Sequence, residues 1–245
     1  MDVQEAVDAF SNGFAQVRSI THPFEYVRYR SLGVLRDKTP RRHDPRNIEF
    51  TALDLEPSKV LREVASYKPS RYIISCINTL DEDLDIHRDA YKRAGYRLMN
   101  RYRLMVATGP RDPFVSSHDV RRATTLEEIE VLNKANRKRL APKNMALEDD
   151  APYRLCYARV GDELAGWVRA ISTGTSVYVA GVFVYERYRR QGLGREMMSL
   201  MLADDSRLGY ARSALVSNST GALLYPNLGY EKIATMQMFS VPKTG

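Results

Sequence analysis

The residues of this chain best suited to hold a ligand are Arg189-Arg190-Gln191-Gly192-Leu193-Gly194-Arg195. They follow a β-rich run, Val177 to Val184, and open an apolar-periodic segment at Leu193, which reads as a strand, a glycine-rich turn and a helix N-terminus. The first N–H groups of a helix lack intrahelical acceptors, and the aligned peptide dipoles leave partial positive charge there. Glycines allow close backbone approach, and Arg189, Arg190 and Arg195 add full charges. Such a turn is chemically a cradle for a phosphate or pyrophosphate. A glycine turn this short also occurs as an ordinary connection, so its surroundings must decide.

Other chemistry-bearing residues are sparse. Cys76 and Cys156 lie far apart, each inside a β-like run, and the four histidines are scattered. Two buried thiols, no disulfide and no metal site are therefore expected. The net charge of +7 invites a nucleic-acid reading, but the basic residues are spread along the chain, and an anionic cofactor accounts for the excess equally well. Asn133 to Lys143 is basic without interleaved aromatics, so a solvated helix face is expected, with RNA contact as the alternative. No apolar run approaches the length of a membrane span, and Met-Asp-Val-Gln-Glu-Ala lacks the order of a secretory signal. A cytoplasmic location is the expectation.

The elements that must position the loop read as α/β (α+β). Val3, Ala6, Val7, Phe10, Phe14 and Val17 have helical spacing. A strand follows over Val27 to Leu35, then a charged loop, Asp37 to Arg46, taken as a solvated connection with a mobile flap as the alternative. Strands at 48–53 and 71–77, helices at 58–67 and 84–94 and a strand at 98–106 come next. Ala107-Thr-Gly-Pro-Arg-Asp-Pro113 is the candidate linker. Beyond it stand a strand at 120–123 and Thr125-Leu-Glu-Glu128, a capping box opening a helix to about Arg139. Strands at 153–160 and 164–171 meet across Gly161-Asp162, and a third, 176–184, feeds the glycine loop. A helix from Leu193, a strand at 213–216, a helix at 220–228 and a strand at 234–241 finish the chain.

Tyr91-Lys-Arg-Ala-Gly-Tyr96 and Tyr225-Pro-Asn-Leu-Gly-Tyr230 share a Tyr-x-x-x-Gly-Tyr frame, each followed by a strand-like segment with methionines. The shared context favours two related lobes over a chance match. The expected division is a degenerate N-terminal lobe over 1–112 and a catalytic domain over 113–245.

Arg189-x-x-Gly192-x-Gly194 after a β-run resembles the Gln/Arg-x-x-Gly-x-Gly/Ala pyrophosphate loop of the GCN5-related N-acetyltransferases (GNAT), with Glu186 where a proline is common. Asn218-Ser-Thr-Gly-Ala-Leu-Leu-Tyr-Pro-Asn-Leu-Gly-Tyr230 resembles the second signature of that family, in the right order. The resemblance covers about residues 119 to 241 as a complete unit. Residues 45 to 107 resemble only the later half of the fold, without the loop, which implies one cofactor site per chain. It further implies a mixed, mostly antiparallel GNAT-type sheet flanked by helices, and acetyl-CoA in a V-shaped gap between the family's fourth and fifth strands. By motif position Val182, Phe183 and Val184 would meet the pantetheine arm, with the Val182 N–H facing the thioester carbonyl. Arg189, Arg190, Gln191, Gly192, Leu193, Gly194 and Arg195 would hold the pyrophosphate, and Asn218 would sit beside the pantetheine. Tyr225 matches the position that protonates the leaving thiolate, with a packing aromatic as the alternative.

No carboxylate stands between Val177 and Val184, so no general base is named; Glu186, His118, the N-terminal lobe and a water relay all stay open. The reading is an acetyl-CoA-dependent N-acetyltransferase acting on a primary amine, of a small molecule in preference to a peptide, by direct attack on the thioester. An acyl-CoA-binding sensor without catalysis, and acetylation of a protein or RNA-linked amine, are the alternatives. A homodimer, the acceptor and the acyl-chain preference are left open.

Overall fold

The structure is a computed structural model that describes residues 1–40, 48–81, 83–111, 113–136, 139–143, 147–148 and 151–241. Most of the charged loop 37–46, residue 112 of the linker and part of the basic stretch 133–143 lie outside the described residues. The chain forms two compact units. One comprises Asp2–Met105, Val216–Ser219 and the chain from Lys232; the other comprises Val106–Leu215 and Thr220–Glu231.

In the first unit, α1 (Val3–Ser19) begins where the Asp2 carboxylate accepts the Glu5 N–H at 2.7 Å, and it buries Ala6, Val7 and Phe10. The single strand expected over Val27 to Leu35 is a hairpin of β1 (Phe24–Tyr29) and β2 (Leu32–Asp37). Its turn rests on Arg30 at φ 52°, a left-handed position occupied by a residue that gives no turn signal in the sequence. Next are β3 (Ile48–Leu53), α2 (Pro57–Tyr67), β4 (Tyr72–Asn78), α3 (Asp83–Arg93) and β5 (Arg97–Thr108). The last strand of the chain, β11 (Glu231–Ser240), pairs antiparallel with β4, Thr235 facing Asn78 and Ser240 facing Ile73. Here the structure departs from the expected division, which kept the C-terminal strand with the catalytic domain. Packing accounts for the place of β11: Phe239 stacks on Tyr91 at 4.3 Å, and buried Gln237 donates to the Leu84 carbonyl at 3.1 Å. The strand order is β1-β2-β3-β4-β11-β5, around a core of Leu32, Phe50, Val60, Ile74, Tyr91 and Phe239.

The second unit carries the glycine loop. Its strands β6 (Asp119–Arg122), β7 (Tyr153–Val160), β8 (Glu163–Thr173), β9 (Ser176–Val184) and β10 (Arg212–Ser217) are ordered β6-β7-β8-β9-β10, antiparallel except for the β9–β10 pair. Helix α4 (Leu126–Ala135) opens on the capping box of Thr125 and Glu128 but stops short of Arg139. The Asn133 side chain accepts the Leu140 N–H at 2.7 Å and donates to the Ala141 carbonyl at 3.0 Å, turning the chain back. Helix α5 (Leu193–Arg207) buries Met197, Met198, Met201 and Leu202. A Cβ at Gly166 of β8 would stand 2.8 Å from the Met197 methyl and 2.6 Å from the Phe183 carbonyl, so only glycine admits α5 so close. Behind α5, fully buried Arg154 pairs with Asp205 at 2.5 Å and donates to Ser172 Oγ at 2.8 Å.

The helix expected at 220–228 is two 3₁₀ turns, Gly221–Leu223 and Tyr225–Leu228. Pro226 cannot donate the bond an α-helix needs there. The two Tyr-x-x-x-Gly-Tyr frames nevertheless close alike. Gly95 and Gly229 have φ 86° and 75°, the Tyr96 and Tyr230 N–H groups return to the Tyr91 and Tyr225 carbonyls at 2.9 and 3.1 Å, and each tyrosine pair meets edge to face. No described helix is long and apolar enough to cross a membrane.

Candidate active site

The site is built where β9 stops being an ordinary strand. Toward β8 the ladder carries a bulge: Arg169 faces Gly181 and Ala170 faces Val179, leaving Ala180 as the extra residue. Gly181 takes φ 156°, and a Cβ there would meet the Trp167 ring at 3.2 Å. Toward β10 the parallel pairing runs only from Val177–Ser213 to Val179–Leu215. From the bulge to Val184, β9 therefore presents an edge on that side.

Hydrogen-bond alternation decides which groups face this edge. The Tyr185 N–H donates to the Ala165 carbonyl at 2.9 Å. Bonded pairs alternate in an antiparallel ladder, so Phe183, opposite Trp167, also directs its N–H toward β8, whereas Val182 and Val184 direct theirs away. The Val184 carbonyl indeed leaves β8, accepting Arg189 Nε at 3.1 Å.

The glycine loop continues from this edge. A 3₁₀ turn, Glu186–Tyr188, leads to Arg190 at φ 61° and Gly192 at φ 82°, two left-handed residues bracketing Gln191. A non-glycine residue in that region carries about 1 kcal/mol of strain or more, so the loop holds a conformation that an unconstrained chain avoids. Gly192 is the N-cap of α5 and offers no side chain to its first N–H groups. Val184, Arg189, Arg190, Gly192, Leu193, Gly194 and Arg195 line one depression of about 240 Å³, joined by Tyr188 and Leu224. A Cβ on Gly194 would lie 3.6 Å from Val184 Cγ2 and 3.7 Å from Leu224 Cδ2. No carboxylate pairs with Arg190 or Arg195 among the described residues, whereas Arg187 is spent on Glu163 at 2.8 Å. Gln191 turns back to the Arg187 carbonyl at 3.5 Å.

Tyr225 follows Leu224, is buried, and has its hydroxyl pushed up to about 12 by that burial. Its counterpart Tyr91 is fully buried, its hydroxyl accepting from Cys76 Sγ at 3.0 Å. Asn218 groups with the other unit, in the turn after β10, where its carbonyl accepts Ser217 Oγ at 2.8 Å. Phe183 stacks on Trp167, with centroids 5.9 Å apart.

Of the residues considered as base, His118 is held by structure: its Nδ1 lies 2.8 Å from Glu196 Oε1 in the first turn of α5. Glu196 also takes Ser117 Oγ at 2.5 Å, Ser116 Oγ, and the Ser117 and His118 N–H groups at 3.1 and 3.2 Å. Burial works against ionisation there, but these bonds outweigh it and hold the Glu196 carboxyl down at about 2. Glu186 lies exposed at the start of the 3₁₀ turn. Cys76 and Cys156 are buried with raised thiols, Cys76 pushed up to about 12. The described residues include no group of three His, Cys, Asp or Glu side chains able to hold a metal.

Residues 151–232 match the family model described as "Acetyltransferase (GNAT) domain". Residues 151–232, about a third of the chain, are thus similar to a GNAT domain. The fold agrees: a GCN5-related N-acetyltransferase from Kribbella flavida superposes with a TM-score of 0.62 at 18% identity, covering 100% of this chain and 97% of its own. A putative acetyltransferase of the GNAT family from Novosphingobium aromaticivorans gives 0.55 at 15% identity, over 98% and 99%. A GCN5-related N-acetyltransferase from Sphaerobacter thermophilus gives 0.58 at 13%, over 86% and 76%. No curated protein sequence matches the chain. In this unit sequence reasoning missed Leu224, whose place in the depression depends on the 3₁₀ turns, and Trp167, which stacks beside the bulge. Gly181, a lone glycine inside a β-run, was the available signal for that bulge.

Proposed function

We propose that this chain is an acetyl-CoA-dependent N-acetyltransferase acting on a primary amine. The observation that carries the reading is the conjunction of the open β9 edge with the Arg190–Gly192 turn at the start of α5. In this reading the N–H groups at the start of α5, with Arg190 and Arg195, hold the pyrophosphate of acetyl-CoA. The pantetheine arm pairs with the outward backbone groups of Val182 and Val184.

The chemistry is direct transfer. The lone pair of a neutral amine attacks the thioester carbon, and the carbonyl oxygen gathers negative charge at the Val182 N–H. Collapse breaks the C–S bond, the new ammonium loses its proton to water, and the CoA thiolate takes up a proton. Tyr225 stands as the donor to that sulfur. A phenol at about 12 keeps its proton at neutral pH. Complete transfer to a thiolate of pKa about 8.5 would be uphill by about 5 kcal/mol, so Tyr225 acts by hydrogen-bonding the sulfur as charge develops, with net protonation coupled to loss of the ammonium proton.

Ser176 to Val184 contains no carboxylate, which favours a second reading, a module that binds acyl-CoA as a sensor. Thiol release from acetyl-CoA with a panel of amines, amino acids and peptides, beside a thermal-shift titration with CoA, separates the two. Turnover on an amine is the expected result. Stabilisation by CoA without turnover on any acceptor would favour the sensor, and absence of CoA binding would sink both.

A further inference from the structure

Arg169 is a buried cation whose counter-charge is missing from the described residues. Only 8% exposed, it donates from Nη1 to the Leu140 carbonyl at 2.7 Å and from Nη2 to the Ala180 carbonyl at 3.5 Å, and it lies 5.9 Å from the Trp167 ring centroid. Its buried Nε has no hydrogen-bond partner. The titratable neighbours that it feels are Tyr153 and Tyr178, whose hydroxyls bring dipoles and no charge at neutral pH. The same unit treats its other buried arginine differently: Arg154 has Asp205 against it at 2.5 Å. A buried charge is costly unless paired, and here the pairing group is one that the described fold does not supply.

The unused part of the guanidinium has a definite shape. Nε and Nη2 form one edge of the fork, the edge that takes a carboxylate through two parallel bonds; Nε is unpaired, and Nη2 has only its long contact with Ala180. Arg169 faces Gly181 across the ladder, so this edge lies at the β9 bulge. Ala180 is two residues from Val182, about 6.6 Å along a strand, the reach of a short amino acid lying beside it. Trp167 and Phe183, stacked at 5.9 Å with Phe183 37% exposed, offer an apolar wall next to the same place.

We propose that the Nε–Nη2 edge of Arg169 receives a carboxylate of the acceptor, so that the acceptor is an amino acid or a similar amine bearing an acid. The proposal rests on the N-acetyltransferase reading for its chemistry, while the anion site itself is separately measurable. Net transfer stays as written above: the amine nitrogen gains the acetyl group, CoA leaves as the thiol, and the carboxylate is unchanged.

The test uses matched pairs of amines, phenylalanine with phenethylamine and leucine with 3-methylbutylamine, in thiol release with the full chain, and thermal shift by the same compounds in the presence of CoA. In the unsubstituted protein at least one partner carrying the α-carboxylate is expected to exceed its analogue by about tenfold or more in kcat/KM. Arg169→Met should erase that preference while leaving CoA affinity and turnover of phenethylamine within about threefold; Arg169→Lys, a point charge without the fork, should keep part of it. Should Arg169→Met fail to fold, the comparison rests on Arg169→Lys and Arg169→Gln. A preference that survives loss of the guanidinium, an equal loss on both members of a pair, or no preference at the start overturns the proposal. Thermal stabilisation by an amino acid that vanishes in Arg169→Met, without turnover on any amine, would overturn acetyl transfer and leave the anion site standing.

Discussion

Val179 faces Leu215 in the last parallel pair between β9 and β10, and the bulge at Ala180 begins one residue later. Loss of one partner and the bulge against the other coincide. The bulge changes which backbone groups point outward, and the end of pairing leaves Val182 and Val184 pointing at a vacant edge. Strand, turn and helix N-terminus then form one continuous backbone surface of N–H donors, which the proposed reading fills with acetyl-CoA.

Gly192→Glu should weaken CoA binding by about 100-fold or more. At φ 82° any side chain is strained by roughly 1 kcal/mol or more, and a carboxylate would stand against the pyrophosphate. Calorimetric titration with CoA measures it; unchanged affinity would show that the loop holds no phosphate.

Gly194→Ala should separate stability from binding. The new methyl makes ordinary contacts with Val184 and Leu224, and alanine in the first turn of a helix improves its stability by up to about 1 kcal/mol. It also fills the depression at the start of α5. A higher Tm with weaker CoA binding is expected, and a variant that binds CoA as tightly as before would remove Gly194 from the site.

Tyr225→Phe should lower kcat about 10-fold or more with CoA affinity nearly unchanged, because in the proposed reading only the charge developing on sulfur meets the hydroxyl. The ring contact with Tyr230 at 5.8 Å survives the change. Full activity would make Tyr225 a packing residue like Tyr91.

Glu196 predicts an acid-side signature. Its folded pKa, about 2, lies below the ordinary 4.5, so its contribution is complete above pH 4.5 and is lost as pH falls toward 2. Discounted for partial solvent screening, that contribution is on the order of 1–2 kcal/mol. Glu196→Gln should lower Tm at pH 7 and flatten the dependence of stability on pH between 4.5 and 2. An unchanged acid limb in this variant would assign the stabilisation elsewhere.

Much of the site was legible because it is local. The strands at 153–160 and 176–184, the capping box and the start of α5 follow from period and caps, and the loop from two glycines among arginines. What escaped depends on partners distant in sequence. The place of β11 beside β4 is settled by Phe239 on Tyr91, a contact that no periodicity encodes. The hairpin at Arg30 lacked a turn residue, and the 3₁₀ turns at 221–228 keep a helical apolar spacing while Pro226 withholds the bond. Arg169 read as one cation among 37 lysines and arginines until its burial beside the bulge set it apart.

The central claim, that acetyl-CoA lies along the β9 edge and across the start of α5, is tested most directly by hydrogen exchange of the full chain with and without acetyl-CoA. Protection is expected in peptides covering 180–195, strongest at Val182, Val184 and the first turn of α5. Exchange unchanged over 180–195 at saturating acetyl-CoA would contradict it.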